Sequence, residues 1–245
     1  MSKLGLLFSR LYGALCGEHP NQRPWHFQWL SARMIHRDLR TILPTLSGRV
    51  LDVGCGYAPY RKWLVEEHCS YVGLDIDGDD NVADIRVLSD VAWPIKEDSI
   101  DVVICTQVIE HVNNLDFVMH ELRKVLKPGG LLIVSVPFSY NEHGAPFDFR
   151  RLSVFGVMEL LKKDFELQTI LREGAIGTVI GIWLLNWVWT SLSLNSLTKA
   201  IKLLGLPLLI CISFAINLLA ILLDGLDRTD AFYGNVLAIG KKRTE

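Results

Sequence analysis

From Arg49 onward the chain alternates short apolar runs with amphipathic ones, and this alternation narrows its fold more than any other feature. The apolar runs at 49–53, 71–75, 81–85, 100–105 and 131–136 have the length of strands. Between the last two, Leu115, Val118, Met119, Leu122, Val125 and Leu126 recur three and four apart, one stripe of a helix. Asn114 suits the cap at its start, and Lys127-Pro128-Gly129-Gly130 stops it. A helix at 153–162 leads to a sixth strand at 165–171, and a seventh fits 235–239. Strand–helix alternation predicts an α/β fold with a seven-stranded, mostly parallel sheet and helices on both faces. At 245 residues, one domain plus an appendage is expected. The natural divisions are a helical segment at 1–47, a core at 48–173, an insertion at 174–227, and a last strand and tail at 228–245.

The stretch Val50-Leu51-Asp52-Val53-Gly54-Cys55-Gly56-Tyr57-Ala58-Pro59-Tyr60 runs a strand into a Gly-x-Gly turn and predicts a helix beyond it. Glycine lets the chain turn sharply and lets backbone N–H groups approach a ligand. Asp75 ends the next strand 19 residues after Gly56, where a carboxylate in a Rossmann-like unit accepts from ribose hydroxyls. A dinucleotide fingerprint would place a third glycine at position 59, and Pro59 stands there instead. Asp52, beside the turn, repels phosphate and suits a cationic amino group. S-adenosyl-L-methionine has no phosphate and carries both an ammonium and a sulfonium, so the charges favour it over NAD.

These residues resemble the first motif of class I S-adenosylmethionine-dependent methyltransferases. Pro94-Ile95 with Ser99-Ile100-Asp101-Val102-Val103, then Val108-Ile109-Glu110-His111-Val112, resembles the later part of the type 11, small-molecule branch. The turn at Lys127–Gly130 into a strand matches as well, so the likeness covers about 49–137. It implies that Asp52, Gly54, Cys55 and Gly56 surround the methionine part of the cofactor and that Asp75 holds the ribose. Ile76 would flank the adenine, and Asp90 would meet its amine, with Asp84 the rival. Turn or cap duties are the other reading of these aspartates.

Methyl transfer from a sulfonium is an in-line displacement that needs a base only where the acceptor must lose a proton. Two clusters follow strands at the carboxyl edge of the sheet, where open α/β folds bind ligands. The first is Glu110-His111, whose histidine suits a general base near neutral pH or else caps the following helix. Some quinone O-methyltransferases that share this motif use nearby acids to bind a divalent metal. Gln107 stands where those proteins often have glutamate, so no metal is expected here. The second runs from Pro137 to Arg151 and reads as an acceptor-binding lid, with Tyr140, His143, Asp148 and Arg151 as substrate contacts. Similar loops occur in methyltransferases of polysaccharide and lipid-carrier loci. His143 is the first choice of base and His111 the second; alternatively, Asp148 and Arg151 merely fix the next helix. A non-catalytic relative keeping the fold as a binding module is the alternative function, opposed by the intact glycine turn.

With 25 basic and 27 acidic residues the chain has no bulk attraction for nucleic acid. Five cysteines show no metal-ligand spacing and suit a reducing, cytoplasmic setting. Residues 175–198 carry no charge, and neither do 203–223. Such runs must be buried in protein or lipid. If the last two strands pair, both ends of the insertion lie on one side of a bilayer, which permits two crossings or none. A hairpin in the cytoplasmic leaflet is favoured, at the inner face of the membrane, with a lipid-linked or small-molecule acceptor. A two-span hairpin, a homo-oligomer interface or an acceptor lid are the alternatives. The segment 4–15, with Arg10, would add a second surface contact.

Overall fold

The computed structural model describes residues 3–76 and 83–244. Along the chain lie α1 (Lys3–Cys16), α2 (Trp29–Ile42), β1 (Gly48–Val53), β2 (Cys69–Ile76), β3 (Ile85–Val87), β4 (Ile100–Thr106), α3 (Leu115–Val125) and β5 (Leu126–Pro137). There follow α4 (Val154–Leu161), β6 (Phe165–Glu173), α5 (Ile176–Ser191), α6 (Ser196–Leu204), α7 (Leu206–Asp224) and β7 (Asn235–Lys242). The described residues fall into two compact units.

One unit comprises residues 37–138, 142–173 and 235–244 and contains the whole sheet. Its seven strands take the order β3-β2-β1-β4-β5-β7-β6. Only β7 runs against the rest, antiparallel to both β5 and β6. The central strands are apolar on both faces, as a covered parallel sheet requires: Val50, Leu51 and Val53 in β1 and Val102–Cys105 in β4 are all buried. The sequence-predicted Rossmann-like sheet is present. The side chain of Asn114 caps α3, accepting from the Phe117 N–H at 3.2 Å, and Met119, Leu122 and Val125 are its buried stripe.

Three local expectations are corrected. No α-helix follows the glycine turn, only a 3-10 turn at Arg61–Trp63. Positive φ at Gly54, Gly56 and Ala58 spends the connection on turning, and Pro59 follows, leaving too little chain for a helix before β2. Lys127-Pro128-Gly129-Gly130 stops α3, but it lies inside β5 as an irregularity of the ladder with β4 rather than before the strand. There Gly130 is needed, because a Cβ would lie 2.9 Å from the Lys127 carbonyl and 3.0 Å from that of Asp101. Of the strand expected at 81–85, residues 81 and 82 lie outside the described residues, and β3 begins at Ile85.

The other unit is helical and comprises residues 3–36, Ser139–Asn141 and Gly174–Gly234. The N-terminal segment and the insertion thus form one body. Its α5 and α7 pack antiparallel. Thr178, in the first turn of α5, donates its N–H and hydroxyl to Asp224 at the end of α7, at 2.8 and 2.5 Å. At the opposite end Trp189 packs with Leu206, Leu209 and Tyr12. The insertion leaves and re-enters the sheet at neighbouring points, since Glu173 of β6 is paired with Asn235 of β7.

Candidate functional site

Within the sheet unit a cavity of about 520 Å³ opens at the carboxyl ends of β1 to β4. That volume is in the range of small-molecule and cofactor sites. Gly54 follows β1, Asp75 and Ile76 end β2, Asp90 follows β3, and Gln107 and His111 follow β4; all line it.

The glycine turn is tied to Asp75. Its carboxylate accepts from the Gly56 N–H at 2.7 Å and from the Ile76 N–H at 2.8 Å. Gly54 has φ +69°, and a Cβ on it would lie 2.3 Å from Cγ2 of Val108, so the turn closes against β4's outgoing loop only with glycine. Gly56 has φ +51° and open space where a Cβ would stand. Asp52 and Cys55 are buried beneath the turn rather than among the cavity's lining residues. The Asp52 carboxylate accepts from the Tyr71 hydroxyl at 2.8 Å. Burial pushes its pKa up to about 7, the Tyr71 bond opposes this, and nearby Asp75 adds to it. Burial likewise pushes the Cys55 thiol up to about 12, which leaves it an unreactive packing group. Of the two aspartates weighed for the adenine, Asp84 accepts from the Gly73 N–H at 2.8 Å and so holds β2. Asp90 lines the cavity, at φ +60°.

The structure divides the segment read as a lid. Ser139–Asn141, and with it Tyr140, belongs to the helical unit, where Asn186 donates to the Asn141 side chain at 2.6 Å. Residues 142–151 belong to the sheet unit. There Asp148 is the anchor. Both its oxygens accept from Arg151, at 2.6 and 2.7 Å, and Oδ2 also accepts from the His143 N–H at 2.8 Å. The Arg151 bonds hold its carboxyl well below the usual carboxylate range. Arg151 is therefore engaged in shaping the loop, as the simpler reading of the sequence allowed. Arg150, which the sequence did not single out, donates to the carbonyls of Ile109, Val112 and Asn113 and so clamps this loop to the segment after β4.

The two candidate bases meet. The rings of His111 and His143 lie edge-on with centroids 4.7 Å apart, and Nδ1 of His111 is 2.5 Å from the Phe147 carbonyl. His111 lines the cavity and His143 does not. Beside them Glu110 is fully buried, and neither carboxylate oxygen has a hydrogen-bond partner on another described residue. Burial pushes its pKa up to about 7. One ligand atom each of Glu110, His111 and His143 lie within 4.8 Å of one another, so these three are able to hold a metal ion, a grouping the Gln107 argument did not anticipate. The lining is also aromatic, with Trp93, Phe117, Phe147 and Phe149, of which the sequence points only to Phe147 and Phe149, within the lid. The signal for the latter pair was their alternation with Asp148.

The residues present fit S-adenosylmethionine: a glycine turn closed to a Cβ at Gly54, acids at Asp75 and Asp90, aromatic walls, and neither lysine nor arginine among the lining residues for a phosphate.

A methyltransferase domain family model matches residues 27–167. The chain belongs to this methyltransferase family, and its fold is that of the class I S-adenosylmethionine-dependent enzymes. A Mycolicibacterium smegmatis protein described as a probable S-adenosylmethionine-dependent methyltransferase is 33% identical over 50% of this chain and 53% of its own length. The mitochondrial ubiquinone biosynthesis O-methyltransferase of Rattus norvegicus is 28% identical over 64% of this chain and 54% of its own. The chain spans about half the length of such relatives. Among solved structures, the Haemonchus contortus phosphoethanolamine N-methyltransferase 2, in complex with S-adenosyl-L-methionine, superposes with a TM-score of 0.52. Its identity is 15%, with coverage of 100% of this chain and 61% of that one. The [4+2]-cyclase SpnF gives 0.53 at 16% identity, covering 89% and 83%. At these identities the likeness is one of fold.

Proposed function

We propose that this protein transfers a methyl group from S-adenosylmethionine to a hydroxyl of a small or lipid-linked acceptor at the cytoplasmic face of a membrane. The observation that carries the reading is that Gly54, Asp75, Asp90 and His111 all line one cavity. Bound there, the cofactor supplies a methyl group activated on sulfur. Asp75 and the turn it holds position the ribose side, and Trp93 and Ile76 offer apolar surface to the base. An oxygen nucleophile must shed its proton, and His111, lining the cavity, takes it, with His143 against its ring. This reverses the order in which the sequence ranks the two. Relatives named ubiquinone biosynthesis O-methyltransferase support an oxygen acceptor. The exposed apolar helices of the insertion support a membrane site and an acceptor that resides there.

Calorimetry of S-adenosylmethionine against NAD tests the cofactor. Binding should be seen for the first alone. Asp75→Ala should weaken it by about 1.5–3 kcal/mol. Equal affinity in wild type and Asp75→Ala ends the assignment. With labelled cofactor and a membrane-lipid extract, His111→Ala should lower turnover by about 10²–10⁴ with cofactor affinity kept. Full turnover in His111→Ala, with loss in His143→Ala, moves the base to the lid. The intact protein should pellet with membranes.

A further inference from the structure

Helix α7 is built inside out. Its buried positions include Ser213 and Asn217, whereas its exposed ones are apolar throughout, among them Leu208, Ile212, Phe214, Leu218, Leu219 and Leu222. At 100° per residue the exposed positions sweep roughly half of the circumference. In a protein surrounded by water the polar side faces out. The inner side also has the small-residue packing that helices use in lipid. A Cβ on Gly177 of α5 would lie 2.1 Å from the Ala220 carbonyl of α7, and one on Gly181 would lie 3.2 Å from the Ala220 Cβ.

We infer that the helical unit docks side-on into a single leaflet of a lipid bilayer through the outer half of α7, without crossing it. The inference rests on the membrane reading above and specifies its geometry. Two observations oppose a crossing hairpin. The inner side of the pair is covered by the chain's own N-terminal segment: Asn217 donates to the carbonyls of Pro24 and His26, at 2.7 and 3.1 Å, and Leu30 packs against Ile182, Leu185 and Ala220. A crossing would carry this irregular, polar backbone into the hydrocarbon beside α5 and α7. The second is length. The 16 residues of α5 reach only about 24 Å, short of a hydrocarbon core about 30 Å thick. The chain then bends by 119° into α6 rather than continuing.

A second copy of the chain fits the face less well than lipid. Protein interfaces are bounded by a polar rim. Along α7 the flanking half-buried positions Ile210, Ile216 and Ile221 are apolar too, and polarity returns only at its end, with Asp224. An apolar medium that wraps the exposed half of the helix matches this pattern. Amphipathic helices in such a position sink about 5–10 Å.

Cys211, exposed on α7, is a native reporter of this face. The full-length protein is diluted from detergent onto sealed phosphatidylcholine/phosphatidylglycerol vesicles and recovered by flotation. Labelling of Cys211 by a membrane-impermeant maleimide, with Cys69→Ser as background, should slow at least tenfold on vesicle binding. A cysteine at the α5–α6 turn, Asn195→Cys in a Cys211→Ser background, should stay reactive from outside. Leu218→Glu with Leu222→Glu should weaken flotation at least tenfold while S-adenosylmethionine binding in detergent is kept. If the protein floats and residue 195 is shielded until the vesicles are lysed, the hairpin crosses and the inference is overturned while the membrane reading stands. Flotation with Cys211 still reactive also overturns it, as does a dimer that shields Cys211 without vesicles. No flotation at all removes the membrane reading itself.

Discussion

Asp52 and the two glycines show how much single positions constrain. Asp52 is 2% exposed, and its carboxyl is raised to about 7 by burial. Below an unfolded pKa near 3.8 both states are protonated and stability is whole. As pH rises toward 7 the unfolded chain releases its proton and the folded one keeps it, so stability falls across that window. Asp52→Asn, which still accepts from Tyr71, should therefore raise the Tm of the cofactor-free protein at pH 8 and change it little at pH 4, by calorimetric scans. A variant no more stable than wild type at pH 8 means that the fold does not raise the Asp52 carboxyl above its ordinary range. The glycines should separate. Gly54→Ala drives a methyl into Val108 and should cost stability and cofactor binding together. Gly56→Ala meets open space and should cost only about 1 kcal/mol for its positive φ. Thermal melts with a binding isotherm distinguish them. The sequence treats both glycines alike, since spacing reports that a turn exists and not which neighbour presses on it.

Elements were legible where one local signal sufficed. The strands at 100–105 and 131–136 and the helix between them follow from hydrophobic period and an asparagine cap, and each is present, with β4 and β5 somewhat longer. The helix expected after Gly56 failed because three left-handed residues use up the connection, and backbone angles leave no mark on hydrophobic pattern. The lid was legible as a site by its composition. Its division was not, because that depends on Asn141 bonding Asn186, a contact across 45 positions, whereas the Asp148–Arg151 pair, three positions apart, is one the sequence offers. The lid's shape rests on Asp148, whose side chain is 3% exposed. Asp148→Ala removes the acceptor of the His143 N–H and the carboxylate partner of Arg151. Turnover should fall at least tenfold or so through lost positioning, with S-adenosylmethionine affinity near that of wild type. Steady-state rates beside a binding isotherm check this; unchanged turnover would show that the loop does not position the reacting groups.

For the whole molecule, the decisive geometry is the pairing of Glu173 with Asn235. The insertion begins and ends at adjacent strand termini, so its removal leaves the β6–β7 ladder with two ends that a short turn can join. The residues lining the cofactor cavity all belong to the sheet unit, as do Asp148, Arg150 and Arg151. Sequence composition isolates the charge-free insertion, yet the N-terminal segment that shares its unit stands far from it in the chain, joined by pairs such as Tyr12 with Trp189. No periodicity announces such contacts. A chain restricted to 37–245, with 174–234 replaced by Gly-Asn-Gly, should accordingly fold and stay in solution without detergent. It should bind S-adenosylmethionine within about tenfold of the full-length affinity, since none of the lining is removed. It should also lose its membrane binding, because the exposed leucines of α1, α6 and α7 go with the deleted parts. Calorimetry and flotation measure the two properties on one sample. A soluble, folded core that no longer binds the cofactor would mean that the helical unit completes the site, and the sheet unit would then be a scaffold whose chemistry depends on the rest of the chain.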